Sequence, residues 1–202
     1  GDLTSGGSIA NLIGIVTARE AHGLRARDYE RVAVYLSNQT HHSVTKALRI
    51  AGMGDCLLRR IPLDAHFHLR VEALEAAIRE DRQADRIPWL IVAAAGTTDT
   101  GAVDPLNALA DVAQRHHLWL HVDGAYGAMF ALCAPGQEVL RGIEQSDSLV
   151  LDPHKGLFMP CGSGAVLVKN AAALVQAHHH DAHYMQDADV LASADEISPS
   201  EL

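Results

Sequence analysis

Lys155 stands in Asp152-Pro153-His154-Lys155-Gly156, just past the apolar run Ser148-Leu149-Val150-Leu151, and Asp123 closes a second run, Leu118-Trp119-Leu120-His121-Val122. Alone, a lysine at such a place is ordinarily a solvated surface group, and an aspartate there serves as readily to cap the next helix. Together they define a chemistry. A lysine amine whose pKa is depressed by burial condenses with a carbonyl to form a Schiff base. A carboxylate can hold a proton on a pyridine nitrogen: opposite charges about 4 Å apart, at an effective dielectric near 20, attract by roughly 4 kcal/mol, or about three pKa units. These are the two groups that pyridoxal 5'-phosphate enzymes require. A protonated ring draws electrons from a substrate's α-carbon, so a bond there can break and leave its electron pair behind.

A phosphate needs a third element. Thr4-Ser5-Gly6-Gly7-Ser8 precedes a stretch of helical periodicity, and glycines there let backbone N–H groups approach an anion, with the Ser8 hydroxyl beside the positive helix end. The helix dipole contributes only about 0.3 to 1 kcal/mol at an exposed end. Several donors must therefore act together, and Thr98 is a further candidate. Read alone, this stretch is equally a plain Gly-Ser turn.

The elements that would position these groups alternate along the chain. Ile9, Leu12, Ile13 and Val16 have helical spacing up to a stop at Gly23; residues 31 to 36 read as a strand; Ser43 is a plausible N-cap for a helix carrying Val44, Ala47, Leu48 and Ala51 and closed at Gly52. A strand near 57 to 61 and a helix through Val71, Leu74 and Ile78 follow. The buried run Pro88-Trp89-Leu90-Ile91-Val92 then leads into Thr97 and Thr98. Asp104 and Pro105 read as an N-cap with proline at the first helical position, ahead of Leu106, Leu109, Ala110 and Ala113. Strands at 118 to 122, 148 to 151 and 164 to 168, and a short helix from Asn170, complete the series. Such alternation predicts an α/β domain with a mainly parallel sheet covered by helices on both faces. Ligands then bind at the carboxyl ends of the strands. Thr97, Thr98, Asp123, His154 and Lys155 all follow strands, which gathers them on one rim.

The 202 residues are 48% hydrophobic and 20% charged, as expected of one globular domain with a sizeable core. A formal net charge of -9 argues against nucleic acid, which demands clustered Lys and Arg. No run approaches the roughly 18 to 20 apolar residues of a membrane helix. Cys56, Cys133 and Cys161 are odd in number and widely spaced, which suits reduced thiols filling the core of a cytoplasmic protein. The opening Gly1 and the polar end read as a segment of a longer chain.

Five stretches in register, Thr4 to Asn11, His41 to Ala47, Ala95 to Leu106, His121 to Gly127 and Asp152 to Gly156, resemble the group II pyridoxal-phosphate-dependent amino acid decarboxylases, the aromatic-L-amino-acid and glutamate decarboxylase family. The resemblance runs from about residue 3 to residue 187. It implies the fold-type I large domain with a seven-stranded-type sheet over residues 1–177, a mobile catalytic-loop segment over 178–202, and a homodimer. By the same resemblance Lys155 holds the cofactor, Asp123 pairs with its ring nitrogen, and His41 stacks on the ring face. Gly7 and Ser8 fall on phosphate-binding positions, Thr98 and Ala125 lie near the ring, and His154 is a phosphate-side or active-site histidine. Tyr184 matches the loop tyrosine that protonates the α-carbon after carbon dioxide leaves, which favours decarboxylation of an L-amino acid to an amine over oxidative deamination to an aldehyde. Two residues depart from the family: Ile9 stands where glutamate is usual, and Gly156 where tryptophan commonly follows the lysine.

Rival chemistries share the lysine and aspartate: an aldehyde synthase, a lyase or an aminotransferase. A rival of another class is a metal-binding module in His178-His179-His180-Asp181-Ala182-His183, where His179 and His183 would share a helical face. The decarboxylase reading assigns no metal.

Overall fold

A computed structural model describes residues 1–178. Tyr184, His179, His183 and the rest of the expected loop lie outside the described residues. The elements, in chain order, are β1 (Asp2–Thr4), α1 (Gly7–Ala21), β2 (Val32–Leu36), α2 (His42–Ile50), β3 (Leu57–Arg60), α3 (Val71–Gln83), β4 (Ile87–Ala94), α4 (Leu106–His116), β5 (Trp119–Asp123), α5 (Ala134–Val139), β6 (Ser148–Leu151), α6 (Pro153–Gly156), β7 (Gly164–Val168) and α7 (Ala171–His178). One seven-stranded sheet runs in the order β1-β7-β6-β5-β4-β2-β3. The strands from β2 to β6 are parallel to their neighbours, while β7 pairs antiparallel with both β6 and β1.

The core lies on both faces of the sheet. Strand side chains alternate, so Val32, Val34 and Leu36 of β2 face one cluster, shared with α1, α2 and α7. Ala33 and Tyr35 face the other, shared with α3 and α4. On β5 the same period sends Leu120 and Val122 to the α4 side and leaves Trp119, His121 and Asp123 on the α1 side.

Local chemistry departs from the sequence reading at several points. Of the expected stripe Ile9, Leu12, Ile13 and Val16, Ile13 is buried and Ile9 and Leu12 pack partly buried against the core, but the other buried residues of α1 are Ala10, Asn11, Gly14, Ile15, Thr17 and Ala18. This helix packs on the sheet, on α2 and on α7 at once, so small residues serve where large ones would hold its neighbours apart. The N-cap of α2 is His41, whose Nδ1 accepts from the Ser43 N–H at 3.3 Å; Ser43 itself lies within the first turn. Asp104 does not cap α4. It is buried, and its carboxylate accepts from the N–H groups of Leu69 at 2.8 Å and Ala94 at 2.7 Å, tying α3's approach to the end of β4. Cys56 fills core as expected, but Cys133 and Cys161 are exposed.

The loops after β4 and β5 touch backbone to backbone. A Cβ on Gly127 would lie 2.3 Å from the Ala95 carbonyl oxygen, and Gly96 adopts φ +93° against the same turn. Side chains cannot enter this contact without moving the rim. Gly127→Ala should therefore lower stability by about 1 to 3 kcal/mol, the usual cost of overpacking, read as a reduced urea midpoint; an unchanged midpoint would show that the loops separate freely.

Candidate active site

The carboxyl ends of β2, β4, β5 and β6 and the start of α1 surround a cleft of about 270 Å³. Lys155, Asp123, His41, Gly7, Ser8, Thr98, Ala125 and His154 all line it, so the structure brings together every described residue singled out from the sequence. Topology does this: Asp123 ends β5, Lys155 follows β6 on the single turn α6, and His41 follows β2.

Lys155 meets a different environment from the dry pocket expected of it. Its side chain is 42% exposed, and its Nζ lies 2.9 Å from Oδ2 of Asp152, which is only 1% exposed. His154 Nε2 lies 3.7 Å from the same oxygen, and its Nδ1 is 2.5 Å from the Ser163 carbonyl. Oδ1 of Asp152 is buried without a hydrogen-bond partner. A buried carboxylate demands a countercharge, and Lys155 is placed to provide it. The sequence reading overlooked Asp152, although an acid three residues before a lysine on a forming helix is a standard ion-pair spacing.

The phosphate-like end is built from backbone. The N-cap of α1 is Gly6 at φ 144°, with no side-chain cap, so the first-turn N–H groups lack the partner that a capping side chain would provide. A Cβ on Gly7 would lie 2.9 Å from Asp152 Oδ2 and 3.2 Å from the Ala125 Cβ. Only glycine leaves this cradle open to an anion.

Asp123 is oriented from two sides. Its Oδ2 accepts from Asn11 Nδ2 at 3.1 Å and its Oδ1 from the Ala125 N–H at 3.2 Å. Asn11 also donates to Ser43 Oγ at 3.0 Å, and Ser43 Oγ lies 2.7 Å from His41 Nδ1. Burial pushes the His41 imidazole below its usual pKa, with His42 adding to the effect and Asp123 opposing it. His41 is therefore a neutral ring near pH 7. The sequence reading gave Asn11 and His121 no role. Their signal was present, in an amide inside an otherwise apolar helix and an imidazole at the inward phase of a buried strand.

Both departures from the decarboxylase pattern find room here. Ile9 is half-buried against the core and lines the cleft. Gly156 approaches Met129 so closely that a Cβ would lie 2.8 Å from the Met129 Cβ.

A sequence model described as the pyridoxal-dependent decarboxylase conserved domain matches residues 1–198. The chain belongs to this family. It is 43% identical over 189 residues to the aromatic-L-amino-acid decarboxylase of Bacillus atrophaeus, covering 94% of this chain and 39% of the relative. It is 36% identical over 197 residues to the cysteine sulfinic acid decarboxylase of Rattus norvegicus, covering 94% and 40%. Among solved structures, that of Oryza sativa TDC with PLP and tryptamine superposes with a TM-score of 0.88 at 32% identity, covering 96% of this chain and 41% of that one. The chain thus spans about 40% of the length of these relatives. The family's fold-type I sheet is the one described above, and its cofactor is pyridoxal phosphate. The residues present fit that cofactor. The uncapped helix start suits its phosphate, Asp123 suits a protonated ring nitrogen, and Lys155 suits its aldehyde.

Behind the cleft, His121 is fully buried, and burial drives its pKa well below the usual value. Below about pH 6.5 the unfolded chain takes up a proton that the folded one refuses, so the stability present at neutral pH is lost as pH falls. His121→Gln, which cannot titrate, should narrow the difference between unfolding free energies measured near pH 7 and near pH 5. An undiminished difference would mean that other groups carry the acid sensitivity.

Proposed function

We propose that the chain forms the cofactor-binding core of an enzyme that decarboxylates an L-amino acid to an amine and carbon dioxide. The observation that carries this reading is the convergence of Lys155, Asp123, His41 and the uncapped start of α1 on one cleft. Family membership and the decarboxylase relatives support the reaction type.

When bound, pyridoxal phosphate supplies an electron sink for the pair left on the α-carbon. Lys155 Nζ is the amine that holds the cofactor and yields it to the substrate's own amine. Asp152 steadies that nitrogen as an ammonium at 2.9 Å while it is free. Asp123, braced by Asn11 and the Ala125 N–H, keeps a proton on the ring nitrogen. The first-turn N–H groups at Gly7 and Ser8 bind the phosphate, with the Thr98 hydroxyl and His154 close by. His41 would offer an uncharged imidazole face to stack on the ring, and Ala125 would lie near it. Tyr184 delivers the final proton to the α-carbon from its hydroxyl.

Aromatic amino acids and cysteine sulfinate, named for the relatives, define the first substrates to test. The full-length enzyme is read as a cytoplasmic homodimer. Three free cysteines suit a reducing compartment, and no helix of the described residues is long and apolar enough to cross a membrane. Tyr126 lines the cleft, Phe130 packs edge-on against it, and Leu132, Leu157, Phe158 and Met159 are further exposed large apolar side chains; a second copy would cover them. No group of His, Cys, Asp and Glu among the described residues is placed to hold a metal.

In the full-length enzyme, Lys155→Ala should abolish both the visible absorbance of lysine-bound cofactor and carbon dioxide release from an amino acid panel. Full turnover by that variant would overturn the assignment. Oxygen consumption with ammonia release by the wild type would replace decarboxylation with aldehyde synthesis.

A further inference from the structure

A column of polar groups runs from the core to the cleft. Trp119, His121 and Asp123 share one face of β5, and Ser148 of β6 sits in register opposite His121. Trp119 Nε1 donates to Ser148 Oγ at 2.7 Å, Ser148 Oγ lies 2.7 Å from His121 Nδ1, and His121 Nε2 lies 2.7 Å from Asn11 Oδ1. Asn11 Nδ2 then reaches Asp123 and Ser43, and Ser43 reaches His41.

The direction of every bond follows from groups that can act in only one way. The Trp119 indole only donates, and Asp123, paired with a protonated nitrogen, only accepts. Asn11 therefore turns Nδ2 to Asp123 and Oδ1 to His121, so the neutral His121 ring donates from Nε2 and its Nδ1 accepts the Ser148 hydroxyl proton, Ser148 Oγ having lone pairs enough to take the Trp119 N–H as well. Reversing Asn11 would set its carbonyl oxygen against the Asp123 carboxylate at 3.1 Å and a second donor against His121. At the other branch the Ser43 N–H, a pure donor, points to His41 Nδ1 at 3.3 Å. His41 is therefore an acceptor at Nδ1 and carries its proton on Nε2.

The arrangement imposes local costs. Asn11 and His121 are polar groups at 1% and 0% exposure. Gly14 interrupts α1 with a residue of poor helix propensity, and a Cβ there would lie 2.7 Å from His121 Cε1. A core needing only packing would place an apolar residue at 121 and alanine at 14.

We propose that Ser148, His121 and Asn11 form a one-way hydrogen-bond relay whose members are positioning residues: Asn11 aims and donates to Asp123, and by donating to Ser43 Oγ it holds the hydroxyl that meets His41 Nδ1. The inference rests on the reading of Asp123 and His41 as cofactor-facing groups. The relay couples the two sides of the ring site, so a break at His121 is felt at both.

The test uses the full-length enzyme and four variants. Asn11→Leu and His121→Leu break the relay. His121→Gln keeps an acceptor toward Ser148 and a donor toward Asn11, while Ser148→Ala removes the proton that His121 Nδ1 accepts. Two quantities are read: the dissociation constant for pyridoxal phosphate added to cofactor-free enzyme, and the side-chain 15N signals of His41 and His121, which need no cofactor. Asn11→Leu and His121→Leu should weaken binding roughly 10- to 100-fold, the worth of one charge-assisted hydrogen bond, and should move the His41 Nδ1 signal. His121→Gln should restore both, and Ser148→Ala should move the His121 Nδ1 signal. Were a leucine variant not to fold, Ser148→Ala and His121→Gln decide by the same two readouts. Wild-type affinity and unmoved His41 nitrogens in Asn11→Leu, or in Ser148→Ala together with an unmoved His121, would overturn the relay. A wild-type enzyme that binds no pyridoxal phosphate would refute the cofactor reading instead, with the relay still judged by the nitrogen signals.

Discussion

The arrangement of this domain turns on a half-buried carboxylate at the edge of a hydrophobic core. Asp123 sits where β5 leaves the sheet, with Val122 buried on one side and the cleft on the other. Removing a charge from water costs several kcal/mol unless donors replace the lost hydration. Asn11 and the Ala125 N–H supply those donors. The first comes from a helix and the second from the turn that follows the strand, so α1 and the β5 turn must hold a fixed relation for the charge to be tolerated.

Helix α1 therefore has two duties one turn apart. Its first residues, Gly7 and Ser8, present N–H groups to the cleft; Asn11, about 6 Å further along the axis, reaches Asp123. The helix start and the Asp123 carboxylate are thereby held about one helical turn apart. Close packing enforces the spacing. Gly14 lets the helix settle on His121, and Gly164 passes so near Gly6 that a Cβ would lie 2.5 Å from the Gly6 Cα. Small residues here are positional requirements, which is why the buried face of α1 is poor in the large side chains that its periodicity suggested.

The alternation of apolar runs and helical stripes made the sheet legible, because a parallel sheet with both faces covered leaves the same signal on every strand. The rim was legible for the same reason, since polar residues that stop an apolar run fall at strand ends. Other features were hidden by their short range. β1 has three residues, too few to show a period. Nothing in Gly164 to Val168 distinguishes antiparallel from parallel pairing. Asp104 looked like a cap because its neighbour is proline, yet its partners are N–H groups 10 and 35 residues away. Asp152 was hidden similarly: its burial comes from the approach of Gly7 and Gly164, neither of which is local to it.

The pairing of Asp152 with Lys155 bears on how the site exists before the cofactor arrives. A buried carboxylate with one unpartnered oxygen is a liability, and the ammonium of Lys155 offsets it at 2.9 Å. Once the lysine nitrogen is engaged elsewhere, that offset weakens, and His154, 3.7 Å away and anchored by Ser163, is the remaining group able to bring a positive charge to the same oxygen. The lysine therefore has a partner inside the cleft, and any reaction of its nitrogen must first give up that ion pair. The order of residues in Asp152-Pro153-His154-Lys155 thereby acquires a physical meaning. The acid is buried under Gly7 and Gly164 just past the β6 end, the proline starts a single helical turn, and that turn brings both basic side chains back over the one carboxylate.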